Sequence, residues 1–295
     1  MRRLAATLLV LLAAGVCASA TSITLLYTND LHLRFERLDV LGERIDRERA
    51  AVDGGVLLLD AGDALHDFRR PVAAVCGADR MIAWMNEAGY DAMALGNHDM
   101  YWGAARLEDL AAAACFPILC ANLVPDCGFS APFVEYTVVE IAGVRTLVIG
   151  LITSELLPYA EYPWLSLVDL AEAVRRVLAD GGGAADLTIV LCHFSVERAA
   201  QLAEAVPEID VFISGHSHEI TVDPVRVENA AIVQSGAFAC YLGRLRLDVD
   251  PSGEVIVLDH TLLETEETPV DVRRGLGRLF CVTAIMLATL ALALF

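Results

Sequence analysis

Five short apolar runs in this chain each end on a cluster of acids, amides and imidazoles, and that repeated arrangement restricts the fold more than any other feature. Ile23–Tyr27 leads into Thr28-Asn29-Asp30-Leu31-His32, Val56–Leu59 into Gly62-Asp63, and Met93–Leu95 into Gly96-Asn97-His98-Asp99. Thr188–Leu191 leads into Cys192-His193, and Val211–Ile213 into Gly215-His216-Ser217-His218. Short apolar runs rich in branched residues and closed by Gly or a polar residue read as buried strands. Residues this far apart in sequence converge where parallel strands end, on the rim of an α/β sheet. One histidine after a strand is usually structural. Five successive strand ends with ligand-type residues call for a shared site.

Between the clusters the pattern changes to helical spacing. Leu38, Leu41 and Ile45 form one stripe, and Met81, Ile82 and Met85 another that stops at Gly89. Leu107, Leu110 and Ala114 make a third, and Leu170, Val174 and Leu178 a fourth. After His218 strands return at Ala231–Gln234, Leu242–Val249 and Val255–Leu263, with a hairpin turn at Asp250-Pro251-Ser252-Gly253. The expected fold is one α/β domain over residues 22–263, a layered α-β-β-α sandwich of two mixed sheets flanked by helices, with the site on one rim.

The clusters hold three carboxylates (Asp30, Asp63, Asp99), two amides (Asn29, Asn97) and five imidazoles (His32, His98, His193, His216, His218). Oxygen and imidazole donors without thiolate suit Mn, Zn, Fe or Mg. Asn122 and Tyr101 are possible accessories. The ordered set resembles the calcineurin-like metallophosphoesterases over about residues 22–262. Thr-Asn-Asp-x-His, Gly-Asn-His-Asp and Gly-His-Ser-His place that resemblance in the 5′-nucleotidase / UDP-sugar hydrolase branch.

The resemblance implies two divalent ions and attack on phosphorus by a hydroxide bridging them. Asp30, His32, Asp63 and His218 would hold one ion, and Asp63, Asn97, His193 and His216 the other. A bridging ligand needs lone pairs for both ions, which the Asp63 carboxylate has and a neutral imidazole lacks. Asn97 and His98 would meet a small phosphate ester, by resemblance a nucleotide, with His98 stabilising charge or protonating the leaving oxygen. In many 5′-nucleotidases an Asp three residues after this His orients it, and here that position is Tyr101. A Tyr hydroxyl can orient an imidazole without stabilising imidazolium as a carboxylate does; Asp99, adjacent to His98, is the other candidate.

The same centre would serve a phosphodiesterase or pyrophosphatase acting on cyclic nucleotides or UDP-sugars. A catalytically weak metal- or substrate-binding protein is the alternative of another class. Full-length 5′-nucleotidases resemble this chain only in their catalytic half, so substrate contacts are sought in its own loops, at His66, Phe68, Arg69, Arg70, Tyr101 and Trp102. Tyr159, Tyr162 and Trp164 form an aromatic segment that would cover the surface or act as a lid.

The ends and the charge set the remaining bounds. Met1-Arg2-Arg3, the apolar Leu4–Val16 and Cys17-Ala18-Ser19-Ala20 read as a signal peptide over residues 1–20. An acidic-to-basic linker, 264–278, precedes an apolar tail, 279–295, expected to attach the chain to a membrane outside the cytoplasm. A net charge of −19 disfavours nucleic acid as partner. Cys115, Cys120 and Cys127 are close enough in sequence for one local disulfide, and Cys192 reads as a buried thiol pointing away from His193.

Overall fold

The protein is represented by a computed structural model that describes residues 20–126, 131–155, 162–180 and 185–265, with backbone alone for 71–76. The first sheet contains parallel strands β1 (Thr21–Thr28), β2 (Gly55–Asp60), β3 (Ala92–Ala94) and β4 (Ile118–Leu119). Antiparallel β13 (Tyr241–Val249) and β14 (Val255–Glu264) extend it, giving the order β14-β13-β1-β2-β3-β4. In the second sheet β7 (Val144–Ile152), β9 (Leu187–His193), β10 (Val211–Ser214) and β12 (Ala230–Val233) are parallel. They are flanked by antiparallel β6 (Tyr136–Ile141) and β11 (Val225–Val227). A small ribbon pairs β5 (Leu123–Pro125) with β8 (Leu165–Leu167).

Side-chain alternation makes two-layered strands out of these apolar runs. Ile23, Leu25 and Tyr27 of β1, Leu57 and Leu59 of β2, Leu187, Ile189 and Leu191 of β9, and Val211 and Ile213 of β10 meet in one buried layer between the sheets. The residues between them face outward. Leu26 and Leu58 pack under α1 (Leu38–Ala50) and α2 (Pro71–Ala88). Val190, Cys192 and Phe212 pack under α4 (Leu170–Asp180) and α5 (Val196–Ala205). The result is the layered α-β-β-α sandwich expected, with two mixed six-stranded sheets.

Leu38, Leu41 and Ile45 are the buried stripe of α1, and α2 stops at Gly89 in the left-handed conformation (φ 71°). The third stripe is shorter than its spacing indicates. Helix α3 (Ala104–Ala113) ends one residue before Ala114, whose backbone is extended. Cys115 and Cys120 are free thiols, so they form no bridge with each other; Cys127 lies outside the described residues. Residues 1–19 of the expected signal peptide, most of the expected linker and the apolar tail also lie outside them. Among the described residues no helix is long and apolar enough to cross a membrane.

One acid beside this core has a measurable signature. Asp210, just before β10, accepts the Thr188 N–H at 2.8 Å, and burial pushes its carboxyl up to about 6. The folded chain therefore holds that proton more tightly than the unfolded chain, whose pKa is near 3.9. The stabilisation is complete below about pH 4 and is lost as pH rises through about 6. Asp210→Asn is expected to raise stability at pH 8 by on the order of 2 kcal/mol, after discounting for partial exposure, with no difference at pH 4. Thermal melts at the two pH values check this; a gain independent of pH would contradict it.

Candidate metal centre

Every expected ligand lies at the C-terminal end of a parallel strand. Asp30 and His32 follow β1, Asp63 follows β2, and Asn97 and His98 follow β3. His193 is the last residue of β9, and His216 and His218 follow β10. The chain turns abruptly at these points. Asp30, His32, Asp63, His216 and His218 have φ of 51°, 46°, 60°, 70° and 57°, a region that costs non-glycine residues roughly 1–3 kcal/mol each in strained sites.

Hydrogen bonds hold the turns against that cost. Asp30 N–H donates to Gly62 O and His32 N–H to Asp63 O, both at 2.9 Å. Asn29 accepts from the Ser235 N–H (2.9 Å) and hydroxyl (2.7 Å), tying the loop after β12 beneath Asp30. Asp99 is buried and accepts three backbone N–H groups, from Asp63 (3.0 Å), Gly96 (2.9 Å) and Leu65 (2.8 Å). Burial, with the Asp63 charge next, pushes its carboxyl up to about 7.

The pairing of Asp99 with His98 is therefore corrected. Both Asp99 oxygens are engaged by the two ligand loops, and His98 Nδ1 is buried with no hydrogen-bond partner. Tyr101 does not hold that nitrogen either; its ring packs against the rings of His66 and His98. What fixes His98 is its backbone N–H on Asp63 Oδ1 (2.8 Å) and its ring between His32 and the stacked Phe68.

Three donor groups converge within a few ångströms: Asp30, His32 and His218; Asp30, Asp63 and His193; and His32, Asp63 and His98. Around Asp63 Oδ2 stand His193 Nε2 at 3.0 Å, His32 Nε2 at 3.8 Å and His98 Nε2 at 4.0 Å. Around Asp30 Oδ1 stand His218 Nε2 at 3.2 Å and His32 Nε2 at 3.6 Å. Asn97 Oδ1 and His216 Nδ1 face each other at 3.0 Å. Backbone carbonyls set two of the tautomers: His193 Nδ1–H donates to Ala61 O (2.8 Å) and His32 Nδ1–H to His66 O (3.0 Å). That turns each Nε2 toward the carboxylates, where it can carry a proton or, once deprotonated, meet a metal ion, the usual arrangement behind a metal-bound imidazole.

This donor set fits divalent ions. Among the described residues Asn97 Nδ2 is buried without a hydrogen-bond partner, at a cost of about 1–3 kcal/mol that a bound ligand would offset, and Asp30 Oδ1 and His193 Nε2 meet charged partners at 3.2 and 3.0 Å without an aligned hydrogen bond. In the protein alone, protons substitute for cations. Burial would lower His193, yet Asp63 and Asp30 push it up to about 10. Burial would raise Asp30, yet His218 and His32 hold it well below the usual carboxylate range. An ion entering here displaces those protons, so metal affinity falls with falling pH.

Access is one-sided. His218, His216 and His98 are 33%, 18% and 15% exposed, whereas Asp30 and His193 are sealed. Beside His216 opens a cavity of about 690 Å³ lined in part by Ile152, Glu155, Phe194, Arg198 and Gln201. Glu155 was not foreseen from sequence. It stands 3.4 Å from His216 Nε2, and its one signal is its place just past the end of β7, on the same rim.

The accessory candidates divide. Asn122 is structural, bonded twice to the Ile152 backbone (2.8 and 2.9 Å). Arg70 is engaged by Leu33 O and Glu36. His66 supplies its carbonyl to His32 and packs between Tyr101 and Trp102. Tyr162 is buried and donates to Met100 O (2.8 Å), which fits packing and not a lid; Tyr159 lies outside the described residues. Phe68 and Arg69 remain exposed beside the site.

Residues 23–219 match the family model of the calcineurin-like phosphoesterases. The chain is 31% identical over 287 residues to the snake venom 5′-nucleotidase of Crotalus adamanteus, covering 83% of this chain and 48% of that one. It is 30% identical over 301 residues to the 5′-nucleotidase of Homo sapiens, covering 86% and 51%. The solved 5′-nucleotidase precursor from Thermus thermophilus shares the fold, with a TM-score of 0.72 at 23% identity over 90% of this chain and 59% of that one. The chain thus spans about half the length of the curated relatives it matches.

Proposed function

We propose that this chain, which belongs to the calcineurin-like phosphoesterase family, hydrolyses a phosphate ester of a nucleotide at a centre of two divalent ions. The observation that carries the reading is the convergence of His32, His193 and His218 on the two buried carboxylates of Asp30 and Asp63. Asp30, His32, Asp63 and His218 would hold one ion, and Asp63, Asn97, His193 and His216 the other. Such a pair activates water and neutralises charge on the phosphoryl group.

The remaining chemistry belongs to the chain. Asn97 offers Nδ2, which has no hydrogen-bond partner among the described residues, as a donor to a phosphoryl oxygen. His98 stands at the open face, where an imidazole N–H can stabilise developing charge on the leaving oxygen. Burial lowers its pKa against the opposing pull of Asp63, which favours the neutral ring as the donor. Asp99 positions both residues by fastening Gly96 and Asp63 to one carboxylate. The cavity beside His216 has the volume of a small-molecule pocket and can receive a nucleoside leaving group. Similarity to 5′-nucleotidases supports the nucleotide as substrate.

We place the site of action outside the cytoplasm. The signal-peptide-like sequence of residues 1–20 and the likeness to a venom protein support this. Attachment through 279–295 rests on its apolar sequence alone, and detergent dependence of the full chain tests it.

The function itself is tested by phosphate release from 5′-AMP beside cleavage of an aryl phosphodiester, using the full chain loaded with Mn²⁺ or Zn²⁺. AMP turnover should fall by about 10²–10³-fold in Asn97→Ala. Diester cleavage with little AMP hydrolysis would move the assignment to a phosphodiesterase. Silence on both with metal bound would favour a binding protein.

A further inference from the structure

We propose that Arg34 and Arg69, held over the ring of Phe238, form an anion subsite for a second, non-reacting phosphoryl group of the substrate. The subsite rests on the phosphoester reading above and narrows it to substrates such as nucleoside diphosphates. Phe238 is the link. Its ring lies 4.9 Å from the ring of His218 and 5.5 Å from that of His32, both expected ligands. The guanidinium carbons of Arg34 and Arg69 stand 4.5 and 5.1 Å from its centroid. The arginines are thus one side chain removed from the metal centre, where a group adjoining the reacting phosphoryl would lie.

Arg34, 23% exposed, is under-satisfied for a partly buried cation. Its Nε is buried without a partner. Its terminal nitrogens are 3.8 Å from Glu36 and 3.6 Å from Asp67, beyond hydrogen-bond distance. Arg69 is half exposed, with Nε on Asp67 Oδ1 at 2.9 Å and Nη2 on Oδ2 at a long 3.5 Å; Nη1 takes part in neither contact. Arg70 is different, because its guanidinium is engaged by Leu33 O and both oxygens of Glu36.

The local charge points the same way. Three guanidiniums, Arg34, Arg69 and Arg70, face two carboxylates, Glu36 and Asp67, which leaves one excess positive charge in a chain of net charge −19. Planar forks that stack on an aromatic face are suited to binding phosphate through paired N–H groups. By contrast, the cavity on the His216 side carries Glu155, Asp169 and Glu197 against Arg198, so an anionic group is better received at Arg34.

Two measurements on the full chain test this. Calorimetry of inorganic pyrophosphate with the metal-free protein should show binding weakened by at least about tenfold in Arg34→Ala and in Arg69→Ala, with partial recovery in Arg34→Lys. With metal loaded, the ratio of kcat/KM for ADP to that for AMP should fall by about tenfold in both alanine variants. Agreement between the two variants guards against misfolding of either one. Equal losses on ADP and AMP, or pyrophosphate binding indifferent to both substitutions, would overturn the subsite. Wild-type protein that hydrolyses neither nucleotide but binds pyrophosphate through Arg34 would sink the nucleotide-hydrolase reading and keep the anion site.

Discussion

Asp63→Ala is expected to remove turnover by at least about 10⁴-fold and to lower the metal content to one ion per chain or fewer. The size of the effect follows from how many groups depend on this one side chain. Its Oδ2 is 3.0 Å from His193 Nε2 and 3.8 Å from His32 Nε2, so histidines from two sheets meet there. Its Oδ1 accepts the His98 backbone N–H at 2.8 Å, so the substitution also frees the residue expected to meet the leaving group. The buried His193 would lose its principal charge partner, and its pKa should fall from about 10. Asp63→Asn separates these roles. It keeps an oxygen for the His98 N–H and loses the charge, so it should retain the His98 loop while losing metal. Elemental analysis with AMP hydrolysis reads both. Two tightly held ions in Asp63→Ala, or turnover within tenfold of wild type, would refute the bridging assignment.

The layered fold and the placement of the candidate ligands at strand ends were legible because both depend on local patterns. A strand buried on both faces must be largely apolar, as β9 is over Leu187–Cys192 with Thr188 its one hydroxyl, and its end is marked by a charged-type residue, here His193. Inner and outer faces followed from alternation, which correctly sent Cys192 into the helix-covered layer, away from His193. The helical stripes were visible for the same reason. The boundary error at Ala114 reflects what decides a helix end, which is capping and chain direction and not residue hydrophobicity.

What was not legible depends on contacts between distant segments. Nothing in Gly-Asn-His-Asp shows that Asp99 turns to the backbone of Asp63 and Leu65, more than thirty residues earlier, instead of to its neighbour His98. That arrangement follows from buried N–H groups in two tight loops, each needing an acceptor. The same holds for Asn29 and the loop at Ser235. Arg34 escaped notice because its partner Phe238 lies in a stretch after β12 that carries no motif, and only the fold sets the two together. Glu155 was hidden likewise, at the end of a strand whose sequence carries no ligand cluster.

Gly96→Ala is expected to destabilise the protein by about 3 kcal/mol or more and to abolish metal binding, although it adds one methyl group. A Cβ on Gly96 would stand 2.1 Å from Asp63 Oδ1 and 2.3 Å from the Asp63 nitrogen. Relief by movement is blocked, because the Gly96 and Asp63 nitrogens both donate to Asp99 Oδ2, at 2.9 and 3.0 Å. Separating the loops would break one of these bonds and leave a buried donor or carboxylate unpaired, a further cost of about 1–3 kcal/mol. The same substitution elsewhere serves as control. Gly42 lies within α1, where the nearest atom to an added Cβ is Trp84 Nε1 at 3.9 Å. Gly42→Ala should therefore stabilise by about 0.5–1 kcal/mol through helix propensity. Thermal melts with and without Mn²⁺ compare the two variants. Gly42→Ala should keep the wild-type metal-dependent rise in Tm, and Gly96→Ala should show none at a lower baseline. A Gly96→Ala protein that melts like wild type and still responds to metal would mean that the loops carrying Asp63 and Asn97 are not locked together by Asp99, and that the geometry assigned to the second ion is wrong.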